Sequence, residues 1–199
     1  YNLGNDFFQM LLDRKTMSYS AGFYETGSED LESAQQKKLK FICRWLNLPA
    51  NASVLDLGSG WGGFAAYAAK NMLWKITGYT LSNAQLKYCR QLITTNRLEQ
   101  LVSFEYRDMI EDLPTGQFDA IVMIESIEHV GKKRLSPFFR QLRQILKPGG
   151  SLYIQTTGRY KPRHVDRWTL KYVFPGGYLP AKEELLVAAA QAGFVVEEF

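Results

Sequence analysis

From residue 53 onward, short apolar runs alternate with longer stretches whose apolar positions recur every three or four residues. The runs are Ser53–Leu57, Lys75–Tyr79, Leu101–Tyr106, Phe118–Ile124 and Leu152–Thr156, and their composition predicts strands. Phe118–Ile124 is nearly continuous in apolar side chains, as a parallel strand buried on both faces requires. Helical spacing predicts helices from near Trp61, from Ser82 to about Asn96, from about Lys133 to Leu146, and over Ala181–Ala192. Lys147-Pro148-Gly149-Gly150 is a turn by composition, and Phe194–Phe199 alternates as a final strand would. Upstream, Asn5-Asp6 can cap a short helix with Phe7, Met10 and Leu11 on one face, and a longer helix spans about Leu31–Leu46, closed by Asn47 and Pro49. Strands alternating with helices imply an α/β protein with a doubly wound, mostly parallel sheet, in which ligands bind beyond the strands' carboxyl ends where strand order reverses. The pattern divides the chain into an N-terminal helical lid, residues 1–50, and a ligand-binding domain, residues 51–199.

Length and composition change this picture little. The 199 residues, 46% of them hydrophobic, suffice for one well-buried α/β domain. The first residue is Tyr1 and the last, Phe199, falls inside an expected strand, so both ends look trimmed. No run of 18 apolar residues and no signal-peptide pattern occurs, which points to a cytosolic protein. Cys43 and Cys89 sit in helical stretches without C-x-x-C or His/Cys spacing, so they are expected to be reduced, packed thiols, and no metal site is expected. The charge is more informative. The net +4 is carried by residues 158–175, where Arg159, Lys161, Arg163, Arg167 and Lys171 face one acid, Asp166. Trp168, Tyr172 and Phe174 interleave with them, so this segment suits an anionic headgroup at a membrane surface or an acyl carrier protein's phosphopantetheine arm, or else is a solvated loop. Nothing points to nucleic acid.

The candidate chemistry starts at Val54-Leu-Asp-Leu-Gly-Ser-Gly-Trp-Gly-Gly-Phe64. A strand runs into Gly58, Gly60 and Gly63 in the G-x-G-x-x-G spacing, which lets backbone approach a ligand at a helix N-terminus. A nicotinamide cofactor would call for an acid closing the next strand, but that strand ends Ile76-Thr77-Gly78-Tyr79-Thr80. The acid stands instead at Asp56, two before Gly58. The resulting Asp-x-Gly-x-Gly-x-Gly, through Gly62, resembles the first motif of S-adenosylmethionine-dependent methyltransferases. That cofactor carries an ammonium, which an acid near the loop suits.

Further motifs extend the resemblance along nearly the whole chain. Tyr1-x-Leu-Gly-Asn-Asp-Phe-Phe, Met17-Ser-Tyr-Ser, Glu32-x-Ala-Gln, Gly78-x-Thr-Leu-Ser, Glu128-His-Val-Gly and Phe174-Pro-Gly-Gly-x-Leu-Pro are jointly similar to the cyclopropane fatty acid synthase and mycolic acid cyclopropane synthase family. The resemblance implies a Rossmann-like class I methyltransferase fold with S-adenosylmethionine as cofactor. It implies that Tyr19 and Ser20 close over the methionine part, Gly58 and Gly60 line the loop, Thr80 and Gln85 take the ribose hydroxyls, and Arg107 and Asp108 border the adenine. Gln85 is also the partner of Ser82 in a capping box Ser-Asn-Ala-Gln; the ribose is the favoured reading, since the second strand offers no acid.

Two departures bear on the chemistry. Cyclopropane-forming members hold a bicarbonate with a cysteine after Tyr-Ser, the glutamate of Glu-His, a histidine closing the fifth strand and a later tyrosine. Here Ala21 replaces the cysteine and Gln155 the histidine; Glu128 and the Ile124 backbone remain, which puts the bicarbonate in doubt. The fourth strand's exit, Glu125-Ser-Ile-Glu128-His129, also resembles the Glu-x-x-Glu-His of coclaurine N-methyltransferases. Glu125, Glu128 and His129 are therefore the candidate catalytic groups, able to accept a proton, orient an amine or steady a cation. The blander alternative pairs Glu128 with Lys132 on a solvated helix start. The leading expectation is methyl transfer to carbon or nitrogen of a hydrophobic acceptor, lipid or natural product. Cyclopropanation comes next, then a cofactor-binding protein without methyl transfer.

Overall fold

The computed structural model describes residues 4–161, 165–168, 170–171 and 176–198. Strands β1 (Ser53–Leu57), β2 (Lys75–Thr80), β3 (Val102–Tyr106), β4 (Phe118–Ile124) and β5 (Leu146–Gln155) form one sheet of order β3-β2-β1-β4-β5. Every pairing is parallel. The helices are α1 (Asn5–Leu11), α2 (Leu31–Leu46), α3 (Gly63–Met72), α4 (Asn83–Thr95), α5 (Leu135–Ile145) and α6 (Lys182–Gln191). Strand order reverses between β1 and β4, which places the ligand crevice at their carboxyl ends.

Alternation along β1 sorts its side chains between two cores. Val54 joins α2, α3 and α4 through Leu39, Ile42, Phe64 and Leu86, whereas Leu55 and Leu57 join α5 and α6 through Phe138, Leu142 and Leu185. A period of two puts Asp56 on the α2/α3 side of the sheet at its functional end. Asp30 caps α2 by accepting the Ser33 N–H at 2.7 Å, and Asn47 ends it in the left-handed conformation, φ 43°.

Three local expectations are corrected. In α1 the buried residue is Phe8, while Phe7, Met10 and Leu11 are exposed. Phe8 packs on Trp61 of the glycine loop. Asn5 does not cap this helix; its Oδ1 accepts the Trp61 indole N–H at 2.9 Å and its Nδ2 donates to the Ala84 carbonyl at 3.0 Å. The Lys147–Gly150 turn lies inside β5 as a bulge, where the register passes from Phe118↔Leu146 to Ala120↔Ser151. Asp119 braces this irregularity, accepting from Lys147 Nζ at 2.8 Å and from the Ser53 N–H at 2.8 Å. Residues 194–198 form no strand. Side chains hold them instead, with Phe194 edge-on to Phe139 and Glu198 accepting the Trp45 indole N–H at 2.8 Å.

In the basic segment, Arg159 bridges to Ala181, and Tyr160 and Trp168 are exposed. Arg163, Tyr172 and Phe174 lie outside the described residues. Cys43 and Cys89 are free and buried, and burial pushes the Cys43 thiol up to about 12. Among the described residues no helix is long and apolar enough to cross a membrane.

Candidate active site

Two adjoining cavities, of about 70 and 350 Å³, open at the switch point and share Gly58, Gly60, Gln85 and Glu125 as walls. The first is lined also by Tyr19, Ser20, Asp56 and Ile124. The second is lined also by Thr80, Arg107, Asp108 and His129. Residues drawn from the N-terminal loop, the glycine turn and the ends of β2, β3 and β4 thus converge on one elongated crevice. Gly62 and Glu128 line neither cavity.

The glycines divide by what a side chain would strike. An added Cβ would lie 2.5 Å from Ser126 Cβ at Gly58 and 2.7 Å from Phe104 at Gly62, so both serve close packing of the loop on the sheet. At Gly62 the absent side chain would point at Phe104 and Cys89, in the core under the loop, and not at a cavity. At Gly63 the Cβ would collide with the Thr16 carbonyl, so the N-terminal loop sits directly on the start of α3. At Gly60, with φ +56°, nothing of the protein lies within 4 Å; the space beside it is open to a ligand.

Asp56 forms part of the first cavity's lining, buried, with Oδ2 unpartnered among the described residues. Burial pushes its carboxyl up to about 7. A buried polar group so placed calls for a hydrogen-bond partner, and a cation beside it would favour its charged form.

In the second cavity the expected capping box is only half formed. Ser82 Oγ accepts the Gln85 N–H at 3.3 Å, but Gln85 does not return the bond; its Oε1 accepts the Thr80 hydroxyl at 2.7 Å, and Thr80 Oγ1 accepts the Ser82 N–H at 3.2 Å. Thr80 and Gln85 therefore form one buried polar unit. Arg107 lies over the Tyr79 ring at 5.5 Å and pairs with Glu105 at 2.8 Å. Asp108 accepts the Ile110 N–H at 2.8 Å, shaping the turn after β3.

The N-terminal loop is organised by Asp13, whose carboxylate accepts from Thr16 N at 2.6 Å, Thr16 Oγ1 at 2.7 Å and Ser18 N at 3.0 Å. Two α2 side chains then grip Ser20. Gln35 Nε2 donates to its carbonyl at 2.6 Å and Lys38 Nζ to its hydroxyl at 2.6 Å. Lys38 and Asp13 escaped the sequence reading. The signal for Lys38 was its position four residues from both Ala34 and Ile42, on the apolar stripe of α2.

At the exit of β4, Glu125 adopts φ +49°, a left-handed conformation that costs a non-glycine residue roughly 1–2 kcal/mol. Its Oε1 accepts the Ala21 N–H at 2.8 Å. Glu128 is buried, accepting the Thr156 hydroxyl at 2.7 Å and the Thr157 N–H at 3.0 Å on Oε1, and burial raises its pKa. Its Oε2 is buried and unpartnered among the described residues. Lys132 pairs with Glu184 at 2.9 Å, so the Glu128–Lys132 alternative fails: a buried carboxylate faces inward while the lysine reaches α6. Burial lowers the His129 pKa. Among the described residues no group of three or more His, Cys, Asp or Glu could hold a metal ion.

The family model for mycolic acid cyclopropane synthetase matches residues 1–199. The cyclopropane-fatty-acyl-phospholipid synthase of Escherichia coli K12 is 39% identical over 204 residues, covering 100% of this chain and 50% of that protein. The chain thus spans about half the length of the curated relatives it matches. The crystal structure of the mycolic acid cyclopropane synthase CmaA1 complexed with SAH and CTAB superposes with a TM-score of 0.88 at 26% identity, covering 100% of this chain and 73% of that one. Coclaurine N-methyltransferase shares the fold, with a TM-score of 0.80 at 23% identity over 94% of this chain and 55% of that one. With the parallel sheet, the glycine loop and this full-length match, the chain belongs to the mycolic acid cyclopropane synthetase family.

Proposed function

We propose that this chain binds S-adenosylmethionine in the elongated crevice and is a methyltransferase that moves a methyl group to carbon or nitrogen of a hydrophobic acceptor, a lipid or natural product. The observation that carries the reading is the pairing of open space at Gly60 with the unpartnered, buried Asp56 carboxylate beside it. A zwitterionic amino-acid end fits there, with its ammonium to Asp56. Thr80 and Gln85 suit ribose hydroxyls, and Arg107 and Asp108 suit the rim of an adenine site. When bound, the cofactor supplies an electrophilic methyl on sulfur. The chain's own residues do the rest. Tyr19, Ser20 and Ile124 would wall the methionine part, and alignment of the reactants supplies an effective-concentration gain worth roughly 7–11 kcal/mol. Glu125, a wall of both cavities, would face positive charge developing on the acceptor, and Glu128, buried just behind the cavity walls with its affinity for a proton raised by burial, would take the acceptor's proton. His129, a wall of the second cavity with its pKa lowered, would be a second base.

Residues 1–50 would act as a lid over the domain of residues 51–199, since the Thr16–Ala21 loop covers the glycine turn and the β4 exit. A hydrophobic acceptor would be delivered from a membrane surface or an acyl carrier protein through residues 158–175, where Tyr160 and Trp168 lie exposed near Lys161 and Arg167. Cyclopropanation is the second reading, favoured by the activity named for the Escherichia coli relative. Isotope transfer from methyl-labelled cofactor to candidate acceptors tests the proposal, and product NMR separates methyl from ring. Cofactor binding with no label in any lipid, alkene or amine acceptor would leave a cofactor-binding protein without methyl transfer.

A further inference from the structure

Lys38 is fully buried on α2, yet among the described residues no carboxylate lies within ion-pair distance of its Nζ, and its hydrogen bond goes to Ser20 Oγ at 2.6 Å. Burying an ammonium without a salt-bridge partner is costly. Burial brings its pKa down to about 8, opposed by the fields of Glu125 and Asp13, so near neutrality it remains the charged form. An ammonium has only hydrogens to offer, so Ser20 Oγ must accept from it. The hydroxyl's own hydrogen is then free to point elsewhere, and Ser20 is a wall of the cavity that also holds Asp56 and Gly60. Gln35 fixes the same residue through its carbonyl, at 2.6 Å, so the direction is held from two sides.

We infer that Lys38 is a positioning residue that turns Ser20 into a charge-backed donor for the carboxylate of the bound ligand's amino-acid end. This rests on the proposed cofactor site and adds its polarity. Asp56 would take the ammonium and Ser20, driven by Lys38, the carboxylate, so one small cavity holds both ends of a zwitterion.

The test compares two ligands by calorimetry on the full chain: S-adenosylhomocysteine, which has the amino-acid end, and 5′-deoxy-5′-methylthioadenosine, which lacks it. Lys38→Met should weaken S-adenosylhomocysteine by about tenfold or more, the worth of a hydrogen bond to a charged group, and leave methylthioadenosine within about threefold. Ser20→Ala should do the same, and the double variant should lose no more than either alone, because Lys38 acts through Ser20. Ser20→Ala removes only a hydroxyl, so the comparison stands even where the lysine variant does not fold. Equal losses for both ligands, or additive losses, would overturn the inference and leave Lys38 a structural residue. A wild-type chain that binds neither ligand would instead overturn the cofactor reading itself.

Discussion

Glu125 accepts the Ala21 N–H at 2.8 Å, joining the exit of β4 to the N-terminal loop across the mouth of the crevice. Gln155, at the end of β5, completes the arrangement. Its Nε2 donates to the Ala21 carbonyl at 3.2 Å and approaches Glu125 Oε1 at 3.4 Å. Ala21 and Gln155 are the two positions where the family resemblance leads one to expect cysteine and histidine around a bicarbonate. The groups here that have no partner among the described residues, Gln155 Oε1 and Glu128 Oε2, are acceptors, which suit a donor or a cation better than an anion.

Turnover should therefore be indifferent to bicarbonate. Rates measured in degassed, bicarbonate-depleted buffer and after readdition should agree within error. A loss on depletion that is restored on addition would return ring formation to first place and show that other groups hold the ion.

If Glu128 is the proton acceptor, Glu128→Gln should lower kcat by roughly 10²–10⁴-fold, the usual worth of a general base. The amide can still accept from Thr156 and Thr157, so the fold and the affinity for S-adenosylhomocysteine should change little. A variant with wild-type kcat would assign Glu128 to holding the end of β5 alone.

If Asp56 takes the ligand's ammonium, its raised pKa sets the direction in which affinity depends on pH. Its pKa is raised from 3.8 to about 7 in the folded chain, so the folded state binds the extra proton. This contributes stability that is present below pH 4 and is lost as pH rises from about 4 to 7. A bound ammonium favours the carboxylate, so S-adenosylhomocysteine should bind more tightly as pH rises toward 7, by at most about tenfold per unit, and then level off. Binding near pH 6 should release a proton, seen as a buffer-dependent calorimetric heat. Asp56→Asn should abolish both effects; a retained proton release would place the titrating group elsewhere.

Gly60→Val should fold and lose S-adenosylhomocysteine binding by about 100-fold or more. An added Cβ meets no protein within 4 Å, and the strain at φ +56° costs roughly 1–2 kcal/mol. Gly193, at φ +80° after α6 with nothing within 4 Å of an added Cβ and in the wall of neither cavity, is the control. Gly193→Val should lower the Tm by a few degrees and keep its affinity. Unchanged affinity in a folded Gly60→Val chain would exclude the glycine loop as the ligand site.

The sequence by itself determined most of the elements of this protein and which residue types stand at its strand ends. Apolar periodicity reports which face of a strand or helix is buried, so β1 and β4 were legible to the residue, and the alternation through Val54-Leu55-Asp56-Leu57 already turned an acid toward the glycine loop. Periodicity does not name the partner. Only the tertiary structure decided that Phe8, and not the Phe7–Met10–Leu11 face of α1, is buried, because Trp61 lies more than fifty residues along the chain. It likewise decided that Phe194–Glu198 is held by ring and indole contacts and not by a ladder, and that the Lys147–Gly150 turn bulges within β5. At the site, Glu125 meets Ala21 across 104 positions and Gln155 meets Ala21 across 134. Such contacts are set by the packing of α2 and the N-terminal loop onto the sheet, a global energy balance of burial and polar satisfaction that no local pattern encodes.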